Sequence, residues 1–135
     1  GADTVGTTDT NYIYAQDGNG TTLGALLADS SGFRVYSASD ERKKKDIREL
    51  DSDALEILDR VRPRRYRWKN ENLGDLPTFD TKGYVAQELK TVLPEMVKYN
   101  KETDEYTIAD TLLIPYLHRA IIQLKGEIDS LKAKK

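Results

Sequence analysis

The stretch S-A-S-D-E-R-K-K-K-D-I, Ser37 to Ile47, decides how the rest of the chain is read. A serine stands directly before two acids, and the cations Arg42, Lys43, Lys44 and Lys45 follow in a row. Three readings are open: an ordinary helix start, a phosphate-binding patch, or a serine and a lysine placed for nucleophilic chemistry. Local pattern favours the first. Ser39 is available as N-cap, Asp40 and Glu41 suit the positive end of a helix dipole, and the cations form a solvated face.

The texture of the chain changes at this stretch. Residues 1–38 hold one cation, Arg34, against Asp3, Asp9, Asp17 and Asp29, a net charge of −3; residues 39–135 carry +1. Six of the nine glycines also precede Ser39. N-Y-I-Y-A-Q (Asn11–Gln16) is β-prone and is closed by D-G-N-G, a strong turn signal. F-R-V-Y (Phe33–Tyr36) alternates as a half-buried strand does. So few apolar residues cannot close a core alone. Residues 1–38 therefore read as the end of a longer β-rich structure, or as strands completed by other chains.

Composition excludes several classes of function. At 135 residues and 38% hydrophobic, the chain has material for about one domain of ordinary size. Without cysteine it has no disulfide, no thiolate metal site and no thiol catalysis. A single histidine, His118, rules out a multi-histidine metal site, so no metal is expected. No apolar run approaches the ~20 residues of a membrane span, and the start has no basic-then-apolar signal pattern. A net charge of −2 argues against a general binder of nucleic acid or anionic membranes.

After Ser39 the pattern is mixed helix and hairpin. Ile47, Leu50, Leu55, Ile57 or Leu58, and Val61 follow helical spacing, as two short helices split near Leu50-Asp51-Ser52, with Pro63 ending the second. R-R-Y-R-W-K (Arg64–Lys69) sets Tyr66 and Trp68 on one face and cations on the other, a strand pattern. Asn70–Gly83 reads as a loop or protruding arm. Tyr84 to Leu93 reads as a short strand running into a helix that ends before Pro94. Val97 and Tyr99 face Tyr106 and Ile108 across N-K-E-T-D, a hairpin.

The clearest periodicity closes the chain. Leu117, Ile121, Leu124, Ile128 and Leu131 are spaced 4, 3, 4, 3, a coiled-coil seam with isoleucine at a and leucine at d. Glu127 at g and Lys132 at the following e can pair between parallel helices. A stripe confined to a and d suits another helix better than a broad core, so the seam predicts self-association. The competing reading is one amphipathic helix packed on its own domain. Isoleucine at a with leucine at d is the dimer preference, a point against any higher state.

Five motifs in order carry a family resemblance: S-D-E-R-K-K-K-D-I (Ser39–Ile47), V-R-P-R-R-Y-R-W-K (Val61–Lys69), G-Y-V-A-Q-E-L (Gly83–Leu89), V-L-P-E-M-V (Val92–Val97) and L-L-I-P-Y-L-H-R-A-I (Leu112–Ile121). Together they resemble the C-terminal intramolecular chaperone domain of bacteriophage tail spikes and fibres, the endosialidase type, also called the S74 peptidase type. The resemblance implies an α+β domain over residues 39–135, ending in a long helix that forms a trimeric coiled coil, after the fibre end in 1–38. It implies a homotrimer that guides folding of the fibre preceding it in the same chain and then cuts itself off. The setting implied is a virion tail appendage precursor, assembled in the bacterial host cytoplasm, with the chaperone part released. No cofactor is required.

The resemblance gives the opening stretch its third reading. Carried onto this chain, the family's S-D-x-x-x-K motif makes Ser39 the nucleophile and Lys44 its base, with the cut between Ala38 and Ser39. A serine hydroxyl is a poor nucleophile at neutral pH unless a base takes its proton, and a neutral lysine can be that base. Arg42, Lys43 and Lys45 disfavour another positive charge beside them. On a continuous helix Lys43 at i+4 lies nearer the face of Ser39 than Lys44 does, an objection that lapses if Ser39 sits outside the helix. Lys44 is taken as the base and Lys43 as the alternative. Asp40 either orients the serine or caps the helix.

Other candidates carry less. His118, at an e position beside the seam, has no evident acid–base partner, and a Ser39–His118–Asp triad is set aside for a surface or interface role. Arg62, Arg64, Arg65 and Arg67, interleaved with Tyr66 and Trp68, suggest phosphate contacts and base stacking, but a strand with cations outward accounts for them as well. A nucleotide as trigger has no G-x-x-x-x-G-K-[ST] loop behind it. The alternative function is a non-enzymatic oligomerisation module that holds nucleic acid on this basic strand.

Overall fold

The computed structural model describes residues 9–29, 32–50, 53–69 and 80–134. They form a mixed α+β chain with three helices and small antiparallel sheets, divided into two compact units, residues 1–48 and 49–135. The boundary expected between 38 and 39 falls inside the first unit. No helix among the described residues is long and apolar enough to cross a membrane.

The first unit is a meander of β1 (Asp9–Gln16), β2 (Thr22–Asp29) and β3 (Gly32–Ser37). Its first turn is built as the D-G-N-G signal predicts. The Asp17 carboxylate accepts from the backbone N–H of Asn19 and of Thr21, each at 2.9 Å, and Gly20 takes the positive φ of 78° that favours glycine. The two N–H groups, with the charge of Lys43 adding less, hold the Asp17 carboxyl below its ordinary range. β2 and β3 pair from Asp29↔Gly32 to Gly24↔Ser37. The half-buried pattern expected of Phe33–Tyr36 is absent from the single chain, where Phe33 and Val35 are 65% and 69% exposed. None of residues 13–28 and 32–48 is buried. A single three-stranded layer has nothing of its own to lay over that face.

Past the sheet, the helix expected from Ser39 does not form. One 3₁₀ turn, Glu41–Lys43, is all that develops, and Asp40 rather than Ser39 caps it, accepting from the Arg42 N–H at 2.9 Å. Lys44 is already extended, and Asp46 sits at φ 55°, in the left-handed region no α-helix passes through. The physical reason is in the residues: a helix here would have only Ile47 and Leu50 to bury, and short helices are held mainly by packing an apolar face. The proposed split at Asp51 and Ser52 lies outside the described residues.

The second unit holds the core. Helix α1 (Ala54–Arg60) ends at Val61, before Pro63 as expected. The strand read over Arg64–Lys69 is shorter, β4 (Arg64–Tyr66), and it pairs with β5 (Thr81–Gly83), inside what was expected to be loop. The rest of that arm, 70–79, lies outside the described residues. Helix α2 (Ala86–Val92) runs to Leu93 and Pro94. The hairpin β6 (Val97–Asn100) and β7 (Glu105–Ile108) has the predicted register, Val97↔Ile108 and Tyr99↔Tyr106. Val61, Leu89, Leu93, Met96 and Leu113 are buried together, with Ile57, Leu58, Tyr84, Val97, Ile108 and Tyr116 packed around them.

The last element is α3 (Leu113–Ala133), led in by a 3₁₀ turn over Asp110–Leu112. Pro115 falls in its first turn, where a missing N–H costs no helical bond. The face that packs on the domain is Leu113, Tyr116, Ala120 and Gln123, spaced 3, 4, 3. Gln123 reaches α1, its side-chain oxygen accepting from the Leu55 N–H at 3.1 Å. The a/d stripe is a different face. Leu117, Ile121, Leu124, Ile128 and Leu131 are all exposed, as is Ile114 one heptad before Ile121. The stripe is thus not the surface by which this helix packs on its own domain.

Candidate active site

The paired strands β2 and β3 lead straight to the residues singled out at the start. Beyond Gly24↔Ser37 the ladder gains one more bond, from the Ala38 N–H to the Leu23 carbonyl at 2.9 Å. The backbone is therefore held up to the peptide bond that joins Ala38 to Ser39. Gly24 permits this approach: a Cβ there would lie 2.7 Å from the Tyr36 carbonyl oxygen, closer than real side chains come.

Ser39 is released from the ladder and exposed. The chain then turns once through Glu41–Lys43 and straightens at Lys44, with φ −114° and ψ 151°. This turn brings Lys44 back. Its Nζ lies 2.7 Å from Ser39 Oγ, across a separation of five residues. Lys43 makes no hydrogen bond to Ser39 among the described residues. The helical counting that favoured Lys43 fails because there is no continuous helix; the i+5 residue reaches the serine after a 3₁₀ turn and an extended step. Drawn with an ammonium, Lys44 donates to the hydroxyl. With a neutral amine the same 2.7 Å contact lets the hydroxyl donate, which is the geometry general-base chemistry requires.

Asp40 does not face this contact as a free carboxylate. Besides capping the turn, it receives the Arg42 guanidinium as a fork: Nε at 3.0 Å from Oδ1 and Nη2 at 2.5 Å from Oδ2. The Arg42 side chain and then its N–H hold the Asp40 carboxyl below its ordinary value, with smaller contributions from the charges of Lys43 and Lys44. Of the two roles the sequence offers Asp40, orienting the serine or capping, its hydrogen bonds are those of a cap with an Arg42 partner. Arg42 is not among the residues the motif singles out; its signal in the sequence is a cation two residues after an acid at a turn.

The basic strand is largely matched by acids. Arg64 makes two bonds of 2.9 Å to the Glu88 carboxylate, while Arg67 at 2.7 Å and Arg65 at 3.8 Å meet Asp80. Arg62 is exposed. Tyr66 and Trp68 stand edge to face, 5.4 Å between centroids, on a groove of about 430 Å³ shared with Tyr84, Val85 and Tyr106. Three of the arginines offered for phosphate contact are thus engaged with carboxylates. His118 lies exposed on α3.

Residues 39–98 match the Peptidase_S74 family, described as chaperone of endosialidase. The match begins at Ser39, the first residue past the ladder, and takes in four of the five motifs, up to Val97. The matched segment therefore includes Ser39, Asp40, Arg42 and Lys44, with α1, β4, β5 and α2; it stops within β6, before β7 and α3. No curated protein matches the chain.

Proposed function

We propose that this chain is a C-terminal intramolecular chaperone that drives trimerisation and folding of the β-rich phage fibre or spike segment preceding it, and then releases itself by autoproteolysis at Ala38–Ser39. The observation that carries the reading is the 2.7 Å contact between Lys44 Nζ and Ser39 Oγ at the first residue of the Peptidase_S74 match. A peptidase family and a serine–lysine pair meet at one place in the chain.

The chemistry follows from those two groups. Neutral Lys44 takes the hydroxyl proton as Ser39 Oγ attacks the Ala38 carbonyl carbon. Collapse of the tetrahedral adduct breaks the Ala38–Ser39 amide, and the lysine returns the proton to the departing Ser39 nitrogen. The acyl group now sits on Oγ as an ester. Water hydrolyses it, leaving a carboxylate on Ala38 and a free hydroxyl and amine on Ser39. One turnover suffices, so the exposure of both side chains in the single chain costs only rate.

The trimer rests on separate support. The exposed stripe on α3, Ile114 and Leu117 to Leu131, is apolar, regular, and not used by the chain's own core. The exposed Phe33 and Val35 of β3 ask for cover of the same kind. The fibre setting and assembly in a host cytoplasm extend the family's description and belong to this proposal.

The test is a denaturing gel with intact mass, comparing freshly made wild type and Ser39→Ala. The expected result is fragments ending at Ala38 and beginning at Ser39 in the wild type only. An identical single band in both rejects the protease reading and leaves the oligomerisation module, whose basic strand is then probed with single-stranded nucleic acid.

A further inference from the structure

Lys44 bonds the Ser39 hydroxyl, and the Asp40 carboxylate next to that serine is near enough to feel the lysine's charge. Their effects on a general base are opposite. A carboxylate stabilises the ammonium form and so withholds the base; a hydroxyl is the group the base must deprotonate. In this structure Lys44 lies on Ser39, and the Asp40 carboxylate is taken by both arms of the Arg42 fork. Asp40 cannot simply be dispensed with, because the same carboxylate caps the turn that returns Lys44 to Ser39.

We infer that Arg42 is a positioning residue for the self-cleavage proposed above: it neutralises the Asp40 cap so that Lys44 is left free to act as base toward Ser39. Planar, bidentate pairing suits arginine, which keeps its charge at any pH where a lysine titrates. The cap and the neutralisation are separable. The cap bond comes from the Arg42 backbone N–H, which any residue but proline supplies, whereas the fork is side chain alone. Other charges near the pair are Glu41, Lys43, Lys45 and Asp46 of the same segment, and Asp17 of the β1–β2 turn, on which the charge of Lys43 acts. Lys43 and Lys45 add to the repulsion of a second cation; none of these groups makes the Arg42 pairing with Asp40.

The inference rests on the Ser39–Lys44 reading, and the experiment separates the two. Uncut chains made in short pulses of cell-free synthesis are moved into buffers from neutral to alkaline pH, and the first-order rate of fragment appearance is followed. Wild type, Ser39→Ala, Arg42→Gln and Asp40→Asn/Arg42→Gln are compared. Freeing the carboxylate in Arg42→Gln is expected to move the midpoint of the pH–rate profile up by ~0.5–1 unit, about 3–10-fold slower cleavage below the midpoint. Asparagine still accepts the cap bond but carries no charge, so the double variant is expected to return the midpoint to that of the wild type. A merely structural role would lower the rate at every pH without moving the midpoint, and that outcome overturns the inference. So does an unmoved profile in Arg42→Gln, or a double variant that shifts as far as the single. Cleavage in Ser39→Ala, or none in wild type, instead brings down the dyad itself, and the inference with it.

Discussion

Leu113 and Ile114 are consecutive on α3 and turned to different environments: the first is 2% exposed, the second 62%. The helix carries two apolar faces, and only one is satisfied within the chain. Truncating the satisfied face, Leu113→Ala, is expected to cost ~2–5 kcal/mol of fold stability, since it removes buried methyl groups and leaves a cavity. Urea unfolding followed by circular dichroism measures this.

The unsatisfied face should behave differently. Ile121→Asp with Ile128→Asp touches residues already exposed in one chain, so the secondary structure is expected to persist. In the proposed trimer each change would forgo ~1.5–3 kcal/mol of burial and add the desolvation of a charge. The double variant is expected to be monomeric by light scattering and uncut on a gel, although Ser39 and Lys44 are intact. Efficient cleavage by a proven monomer would show that the site is complete within one chain.

The two lysines are told apart by substitution. Lys44→Ala is expected to remain uncut and Lys43→Ala to be cut, because only Lys44 reaches Ser39 Oγ. Cleavage that survives in Lys44→Ala and disappears in Lys43→Ala reassigns the base.

Two glycines give changes of opposite sign. Gly24→Ala puts a Cβ against the Tyr36 carbonyl and is expected to loosen the end of the β2–β3 ladder, slowing cleavage by misplacing Ala38. Gly126→Ala, in mid-helix with open space around it, is expected to stabilise α3 by about 0.5–1 kcal/mol and raise the melting temperature. Thermal melts beside wild type decide the two stabilities, and the rate of fragment appearance decides the slower cleavage of Gly24→Ala.

Acid sensitivity follows from the Arg64–Glu88 pair. Hydrogen bonds from Arg64 hold the Glu88 carboxyl below its ordinary value, so the pair's contribution is complete above that value and is lost as pH falls through the lower folded one. Glu88→Gln should therefore lose less stability than wild type between neutral and acid pH, in melts recorded at matched salt. Equal acid losses in the two proteins would show that the pair contributes nothing measurable.

What was legible in the sequence depended on the range of the forces involved. The β6–β7 register and the ends of α1 and α2 rest on nearby turns, alternation and prolines, and they stand as read. Ser39 and Lys44 were named from a motif, but their approach was not derivable from helical counting, because the path between them is a 3₁₀ turn and an extended residue rather than a helix. β5 was hidden for a similar reason: three residues, Thr81–Gly83, gain strand geometry from β4, far back along the chain. Ile114 could have been found, seven residues before Ile121 in the same stripe. Arg42 was harder, since a run of four cations conceals the one that pairs with an acid.

The Ala38 N–H bonded to the Leu23 carbonyl is the last rung of the sheet, and it lies wholly upstream of Ser39. Cutting after Ala38 would therefore remove no rung. The sheet would keep every bond it had while losing the segment proposed to guide its folding. Such a fold records its history: once melted, the shortened chain would lack the means to return, and its persistence would be set by the height of the unfolding barrier rather than by an equilibrium. The expected signature is hysteresis, with the uncut Ser39→Ala chain refolding after heating and the cut wild-type sheet failing to do so.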